Sequence, residues 1–348
     1  MSAEVIALIA LGTVGILAAI PMLHLLEAAL GGETLRSSWL SLLIAAAVGL
    51  VVGGVGGLVI RLPQDFVLQS AALGALCAAI ATVPVRSAGG PRLHVALSAL
   101  LASAIVYVPA CTLVFFIWFD PFATHLGVVD FGIGLPGLVG ACGVALAVML
   151  PDVRSARTAV ARAPKGRAAV IVFVGLWAAI AAWLLGMELA IDAITPIILI
   201  NVLIMPIVSG LTGVVIERVK HVANTGQGLA GAGLAGLAAA VPAAAYLEPV
   251  LAVATALIAG AVCSLLPRGG YFVGSRLVLR TMLFGAVTGL VLLGIFARGT
   301  GTFYTGQPEL LFGQVLGTLL VLAVSLVVGL VLRFVLGGST AQERPAAR

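Results

Sequence analysis

The chain has 348 residues, of which 62% are hydrophobic and 9% charged, and its mean hydropathy is +1.24. A soluble domain carries about 25% charged residues, so this composition excludes a soluble globular protein. The formal net charge is +5, which basic loops facing anionic lipid explain, so no nucleic-acid partner is expected. The composition predicts a polytopic all-α membrane protein whose main partner is the lipid bilayer.

Eleven apolar stretches are predicted to span the membrane. Continuous apolar runs of about 18 residues or more are typical of transmembrane helices, whereas the strands of a membrane β-barrel alternate in hydrophobicity. The third and eighth stretches are short, and their assignment depends on flanking charges. The predicted spans are residues 4–29, 38–61, 66–85, 92–118, 128–150, 168–188, 193–217, 227–243, 247–266, 274–297 and 309–336.

The basic residues predict the orientation. With the N-terminus outside and eleven spans, 16 of the 18 lysines and arginines fall inside, and only Arg61 and Arg298 fall outside. Cytoplasmic loops carry such an excess. We therefore expect a multi-pass protein of the cytoplasmic membrane with its C-terminus inside. The first apolar run is too long for the h-region of a signal peptide, so we expect it to be retained as a helix.

The spans predict one membrane domain, residues 1–337, followed by a polar cytoplasmic tail, residues 338–348, that we expect to be disordered. The longest loop, 151–167, divides the chain into five spans, a further five and one last helix. An odd number of spans per half places the halves in opposite orientations, which is the arrangement of inverted-repeat transporters. The sequence thus predicts a 5+5 inverted repeat plus one C-terminal helix.

The run from Gly231 to Pro249, GAGLAGLAAAVPAAAYLEP, carries the strongest motif. Small residues every three or four positions let helix backbones approach closely inside a membrane. The run resembles the signature of the ammonium transporter/Rhesus (Amt/Rh) family, and its spacing from Gly236 through Pro242 to Pro249 matches without a gap.

Further segments resemble the same family in order along the chain. They are VYVPA at 106–110, DFGIG at 130–134, Trp183, Asn201 and GIFA at 294–297. The resemblance implies an Amt/Rh-like fold, a homotrimer with one pathway per subunit, and the passage of ammonia or ammonium. A cytoplasmic regulatory protein is a further partner that the sequence leaves unidentified.

The resemblance also shows where this chain departs from the family. The two pore histidines of the family fall on Leu138 and Met282. The phenylalanine gate falls near Ala72 and on Gly186, and the serine that helps to receive the cation falls on Ala190. The resemblance therefore implies that the pore-lining residues are Leu138, Met282, Trp183, Ala72, Gly186 and Ala190.

Leu138 and Met282 leave two interpretations open. They line an apolar pore, or they belong to a packed core that holds no pore. Two imidazoles can share hydrogen bonds and a proton with ammonia, whereas leucine and methionine cannot. The leading hypothesis is a channel for ammonia, ammonium or another small near-neutral solute, and the alternative is a non-conducting pseudo-channel with a structural, sensory or assembly role.

Three carboxylates, Asp130, Glu188 and Asp192, are predicted near the outer ends of spans. Asp130 suits a helix N-cap, and the other two suit a solvated rim. The alternative for all three is an outer vestibule that concentrates cations.

Glu27 and His24 lie one helical turn apart near the inner end of the first span. A carboxylate inside a membrane is a functional candidate, so the pair is a possible proton or cation site. The alternative is that Glu27 extends to the inner interface. The sequence predicts no catalytic constellation, metal site or cofactor, so no enzyme is expected.

Overall fold

The computed structural model describes residues 2–31, 39–119, 128–150, 166–220, 225–265 and 275–336. Within these ranges the chain forms helices and turns, with no β-strand. The predicted tail, 338–348, and most of the predicted loop 151–167 lie outside the described residues. The domain boundary at residue 337 therefore stays a prediction.

Fourteen α-helices follow one another along the described parts of the chain. They are α1 (Ala3–Gly31), α2 (Trp39–Val59), α3 (Gln64–Ala81), α4 (Val83–Ser87), α5 (Arg92–Leu101), α6 (Val108–Phe119), α7 (Ala141–Val148), α8 (Gly166–Met187), α9 (Thr195–Val219), α10 (Thr225–Ala243), α11 (Pro249–Leu265), α12 (Ser275–Phe296), α13 (Thr302–Thr305) and α14 (Glu309–Val335).

Eight helical segments of the described chain are long and apolar enough to cross a membrane. Three shorter apolar helices, Leu135–Val148, Gly228–Ala243 and Pro249–Leu265, fall inside the fifth, eighth and ninth predicted spans. Every predicted span therefore contains a helix, and the all-α membrane fold is confirmed. The count of eleven membrane crossings stays a prediction.

Two spans contain a π-helical turn. Ala102–Tyr107 joins α5 to α6, and Leu135–Gly140 leads directly into α7. Pro109 follows the first of these turns. A proline inside a helix cannot donate to the carbonyl four residues earlier and its ring clashes with that carbonyl, which here belongs to Ile105. The wider π turn accommodates the clash, and such turns are common at functional sites.

The helices of the two halves have matching neighbours. α3 packs against α1 and α2 in the first half, as α10 packs against α8 and α9 in the second, and α2 packs on α5 as α9 packs on α11. α1 and α8 lie along each other and join the halves, while α14 packs against α7 and α12 outside the repeat. This correspondence supports the predicted 5+5 arrangement.

The helices α3 and α10 are buried on every face. All residues from 69 to 81 and from 230 to 245 are buried, and most of them are alanine or glycine. Small side chains allow the backbones to approach closely; a Cβ added to Gly53 of α2 would stand 2.5 Å from the carbonyl oxygen of Ser70. The two helices therefore form the centres of their halves.

We call the end of the bundle where α1 begins the outer end and the end where α1 finishes the inner end. These names follow the predicted topology. The packing of the helices does not show which end faces outward, so the orientation stays a prediction.

Candidate functional site

The central positions of the predicted pathway are apolar and closely packed. Leu138 lies in the π turn Leu135–Gly140 and Met282 lies in α12, and each side chain is 2% exposed. The π turn and α12 pack against each other. The structure thus brings the two elements together, and the role of Leu138 and Met282 as pore-lining residues stays a prediction. Neither residue can hold a proton or donate a hydrogen bond.

The other predicted lining positions divide into a buried and an exposed group. Trp183 is fully buried and Ala72 is 1% exposed. Ala190 lies beyond the end of α8 and is exposed, so it sits at the outer surface.

Gly186 lies where α1 and α8 touch. A Cβ added to Gly186 would stand 2.5 Å from the carbonyl oxygen of Leu8 and even closer to the backbone of Gly12. The Gly186 carbonyl accepts a hydrogen bond from Nε2 of the buried Gln69 at 2.8 Å. Backbone contact thus occupies the place where the resemblance puts a phenylalanine gate.

Asp130 caps the helical segment that carries Leu138. Its Oδ1 accepts from the Gly134 N–H at 2.8 Å and its Oδ2 accepts from the Leu135 N–H at 2.6 Å. The carboxylate is 7% exposed, and a negative charge is favoured at a helix N-terminus. Between Asp130 and Gly134, Ile133 has a backbone φ of 60°. This value is strained for a β-branched residue. Asp130 therefore satisfies two N–H groups at the start of this segment as a capping residue does, although the N-cap position itself is Gly134.

The segment after Asp130 is bonded to the outer end of α10. The Phe131 N–H donates to the Pro242 carbonyl at 3.1 Å, and the Gly132 N–H donates to the Val241 carbonyl at 2.9 Å. Tyr246 packs edge-on against the Phe131 ring, with centroids 6.3 Å apart. Burial raises the pKa of Tyr246 to about 12, so its phenol stays neutral. These contacts position the start of the π turn from the other half of the repeat.

The other two carboxylates of the predicted vestibule lie in the turn between α8 and α9. Glu188 is half-buried and Asp192 is exposed. Asp192 Oδ1 accepts from the Ile194 N–H at 2.6 Å, and the Asp192 N–H donates to Thr195 Oγ1 at 3.0 Å. The geometry of Asp192 is that of a turn-stabilising residue at the start of α9. A role in attracting cations stays a prediction for both residues.

At the inner end, His24 and Glu27 are both buried and have a third partner, Arg86. His24 Nδ1 lies 3.7 Å from Glu27 Oε2 and 3.3 Å from Arg86 Nη1. Arg86 is 6% exposed; it also donates to the Ala79 carbonyl at 2.8 Å and to Thr82 Oγ1 at 3.2 Å. Glu27 is 7% exposed. The Glu27 carboxylate is therefore covered by protein, and Arg86 approaches the pair through His24; whether the pair serves as a proton or cation site, or Glu27 lies at the inner interface, stays a prediction.

From the sequence, Arg86 is expected only as one of the basic residues at the inner end. A signal was available, because Arg86 falls at the end of the third predicted span, at the same end of the bundle as Glu27; it lies in the short helix α4. Among the described residues, no group of three or more histidine, cysteine or acidic side chains is placed to hold a metal ion.

Comparison with solved structures identifies the fold. Mep2 of Saccharomyces cerevisiae superposes with a TM-score of 0.79 at 19% identity, covering 95% of this chain and 87% of that one. The Δ442 mutant of Candida albicans Mep2 gives a TM-score of 0.82 at 16% identity, with 95% and 92% covered. A sensor Amt protein gives 0.73 at 17% identity, with 95% and 94% covered.

No protein-family profile and no curated protein sequence matches the chain. The fold predicted from the resemblance, that of the Amt/Rh ammonium transporters, is nevertheless confirmed by these structures. The chain is a multi-pass membrane protein with an Amt-like fold.

Proposed function

We propose that this Amt-like membrane protein passes a small neutral solute across the cytoplasmic membrane, with ammonia as the first candidate. The observation that carries the proposal is the chemistry of the centre. Leu138 and Met282 occupy the positions that the resemblance gives to two histidines, and both are buried apolar side chains. An apolar centre suits a neutral molecule.

The energetic argument concerns dehydration. Moving an isolated ion out of water into an apolar interior costs at least several kcal/mol, and a neutral polar molecule costs much less. The acidic residues of the predicted pathway lie at its two ends, with Asp130 and Glu188 at the outer end and Glu27 at the inner end. We therefore expect electroneutral passage, without a dehydrated cation crossing the centre.

The test uses purified protein in liposomes. An internal pH dye reports ammonia entry, and a solid-supported membrane reports current after an ammonium jump. We expect a pH response above that of empty liposomes and no ammonium-dependent current. A robust current from the parent protein would overturn the proposal.

The variant Leu138→His/Met282→His places imidazoles in the centre and is the companion test. If the missing imidazoles limit conduction, this variant should conduct more than the parent. Because both sites are only 2% exposed, its folding must be compared with the parent by thermal unfolding.

A second candidate function is that of a non-conducting structural, sensory or assembly subunit. It is favoured by the burial of the predicted lining residues. Leu138, Met282, Trp183 and Ala72 are each no more than 2% exposed, as in a packed interior. One of the similar structures is itself a sensor Amt protein. Absence of both current and ammonia flux in the same liposomes would select this function.

A homotrimer, an outside N-terminus and an inside C-terminus belong to the same proposal. Native mass spectrometry would measure the oligomeric state, and reporter fusions at each terminus would measure the topology. A pull-down with the purified protein as bait would search for a cytoplasmic regulatory partner that binds its inner end.

A further inference from the structure

The helices α1, α2 and α4 meet at the buried imidazole of His24, at the inner end of the bundle. The His24 ring stands edge-on to the ring of Trp39 at the start of α2, with centroids 4.8 Å apart. Its Nδ1 lies 3.3 Å from Nη1 of Arg86 in α4. The same Nδ1 lies 3.7 Å from Oε2 of Glu27, one turn further along α1. A single nitrogen atom is thus placed between a cationic donor and a carboxylate.

The two partners of Nδ1 require opposite protonation states. A guanidinium can only donate, so a hydrogen bond from Arg86 needs Nδ1 without a proton. An ionised carboxylate can only accept, so a hydrogen bond to Glu27 needs Nδ1 with a proton. The separation of 3.7 Å from Glu27 is too long for a hydrogen bond, so the structure shows the state bonded to Arg86. The imidazole therefore has two alternative partners, and the proton on Nδ1 selects between them.

Arg86 is fixed to the end of α3 independently of His24. Its Nη2 donates to the Ala79 carbonyl at 2.8 Å, and its Nε donates to Thr82 Oγ1 at 3.2 Å. These bonds hold the guanidinium on α3 and α4 in either state of the imidazole. When Nδ1 gains a proton, the hydrogen bond from Arg86 is lost and two cations face each other across 3.3 Å. The contact between α1 and α4 then becomes repulsive, while the imidazolium is attracted to Glu27 on its own helix.

The other elements around this contact bring mainly fixed positive charge to the inner end. α1 also packs against α3, α8 and α12. Within the described ranges, α2 and α3 have no charged residue at this end, α8 has Arg167, and α12 has Arg276 and Arg280. The Cys142 thiol of α7 interacts electrostatically with Glu27. Arginines keep their charge, and histidine is the residue type among these whose charge ordinarily changes between about pH 5 and pH 8.

We propose that His24 is a proton-controlled switch between α1 and α4. Without a proton on Nδ1, His24 binds Arg86 and joins the two helices. With the proton, it releases Arg86 and binds Glu27. Because Arg86 is bonded to the end of α3, the buried centre of the first half, its release loosens the inner end of that half. The inference goes beyond the proposed function and holds whichever solute crosses.

The test reads the proton on Nδ1 directly. Protein labelled with ¹⁵N-histidine is titrated in detergent from about pH 9 to about pH 5, and glutamine variants at each of the four histidines assign the resonances. Nδ1 of His24 should carry no proton at the alkaline end and gain one at the acid end. The fluorescence of Trp39 should fall with the same midpoint, because an imidazolium quenches a neighbouring indole. Trp39→Phe identifies that signal, and His24→Gln should abolish its pH dependence.

Variants of the two partners should move the midpoint of the His24 titration in opposite directions. Glu27→Gln removes the partner of the protonated state and should lower the midpoint by about one pH unit. Arg86→Gln removes the partner of the unprotonated state and should raise it by a similar amount, whereas Arg86→Lys keeps a cationic donor and should raise it less. His94→Gln is the control that leaves the midpoint unchanged. If Arg86→Gln does not fold, the parent and Glu27→Gln titrations decide.

A proton on Nδ1 at the alkaline end would overturn the inference, because Arg86 has then no acceptor there. A midpoint that stays unchanged in Glu27→Gln, or that falls in Arg86→Gln, would also overturn it.

A flux measurement tests the consequence for transport, which rests on the proposed function. Liposomes with the same pH on both sides receive the same gradient of neutral ammonia at a series of pH values. The parent should conduct more below the His24 midpoint than above it, while His24→Gln, which keeps an acceptor for Arg86 and cannot be protonated, should show no such step. A resonance that titrates as expected in a protein without flux supports the switch and refutes the transport function.

Discussion

The contact between α1 and α8 at Gly186 is tested by adding a single methyl group. In Gly186→Ala the new Cβ would stand 2.5 Å from the Leu8 carbonyl oxygen and closer still to the backbone of Gly12. Real Cβ atoms do not approach so closely, and the obstructing atoms are backbone, which cannot rotate away. The two helices must separate, and the Gln69 hydrogen bond to the Gly186 carbonyl moves with them.

Overpacking a well-packed interior costs about 1–3 kcal/mol, and the backbone contact places this case at about 3 kcal/mol. At roughly 2 °C per kcal/mol for a chain of this size, the midpoint of thermal unfolding in detergent should fall by about 6 °C. Gly231→Ala is the matched control, because nothing lies within 4 Å of its added Cβ. Alanine is preferred to glycine inside a helix by about 0.5–1 kcal/mol, so that variant should be as stable as the parent or more so. If Gly186→Ala unfolds at the parent temperature, the close contact of α1 and α8 is wrong.

Two further predictions use the same unfolding measurement. Arg86→Gln should destabilise the protein by about 3 kcal/mol, because the buried arginine loses its hydrogen bonds to the Ala79 carbonyl, Thr82 Oγ1 and His24 Nδ1. Adding Glu27→Gln to it should recover part of the loss, and no recovery would show that the two side chains are not coupled. Asp130→Ala should lower the free energy of unfolding by about 1–2 kcal/mol, because the cap is lost. Asp192→Ala, at an exposed turn, should lower it by less than about 0.5 kcal/mol. Equal losses in the two variants would contradict the expectation that the buried carboxylate contributes more to stability.

Much of the fold could be predicted because its causes are local. The run from Gly231 to Pro249 is rich in alanine and glycine, and the structure buries α10 on every face from residue 230 to 245. The third predicted span, 66–85, is interrupted near Thr82, and the five-residue helix α4 follows. The π turn before Pro109 was not predicted, because the proline indicates a disturbed turn without specifying which hydrogen-bonding pattern replaces it.

The site was less predictable because its contacts join helices that are distant in sequence. The cap by Asp130 spans four or five residues and was among the sequence-based interpretations. The hydrogen bond from Gln69 to Gly186 spans 117 residues, and the contact between His24 and Arg86 spans 62. Such pairs depend on how helices cross, which spacing within one helix does not determine.

The cluster of His24, Glu27 and Arg86 at the inner end limits how charge could move through this protein. An arginine side chain can only donate, so its contact with His24 Nδ1 requires that nitrogen to accept and to carry no proton. A proton passing from His24 to Glu27 would therefore have to displace Arg86, and Arg86 is held in place by the Ala79 carbonyl and Thr82. Arg86 also brings a positive charge to the end of the bundle that holds Glu27, and a positive charge there opposes the attraction of a cation. At the outer end, the Asp130 carboxylate is occupied by two backbone N–H groups. Asp130 and Arg86 are thus each engaged in hydrogen bonds to the backbone at their own end of the bundle, which supports the proposed passage of a neutral solute through the apolar centre between them.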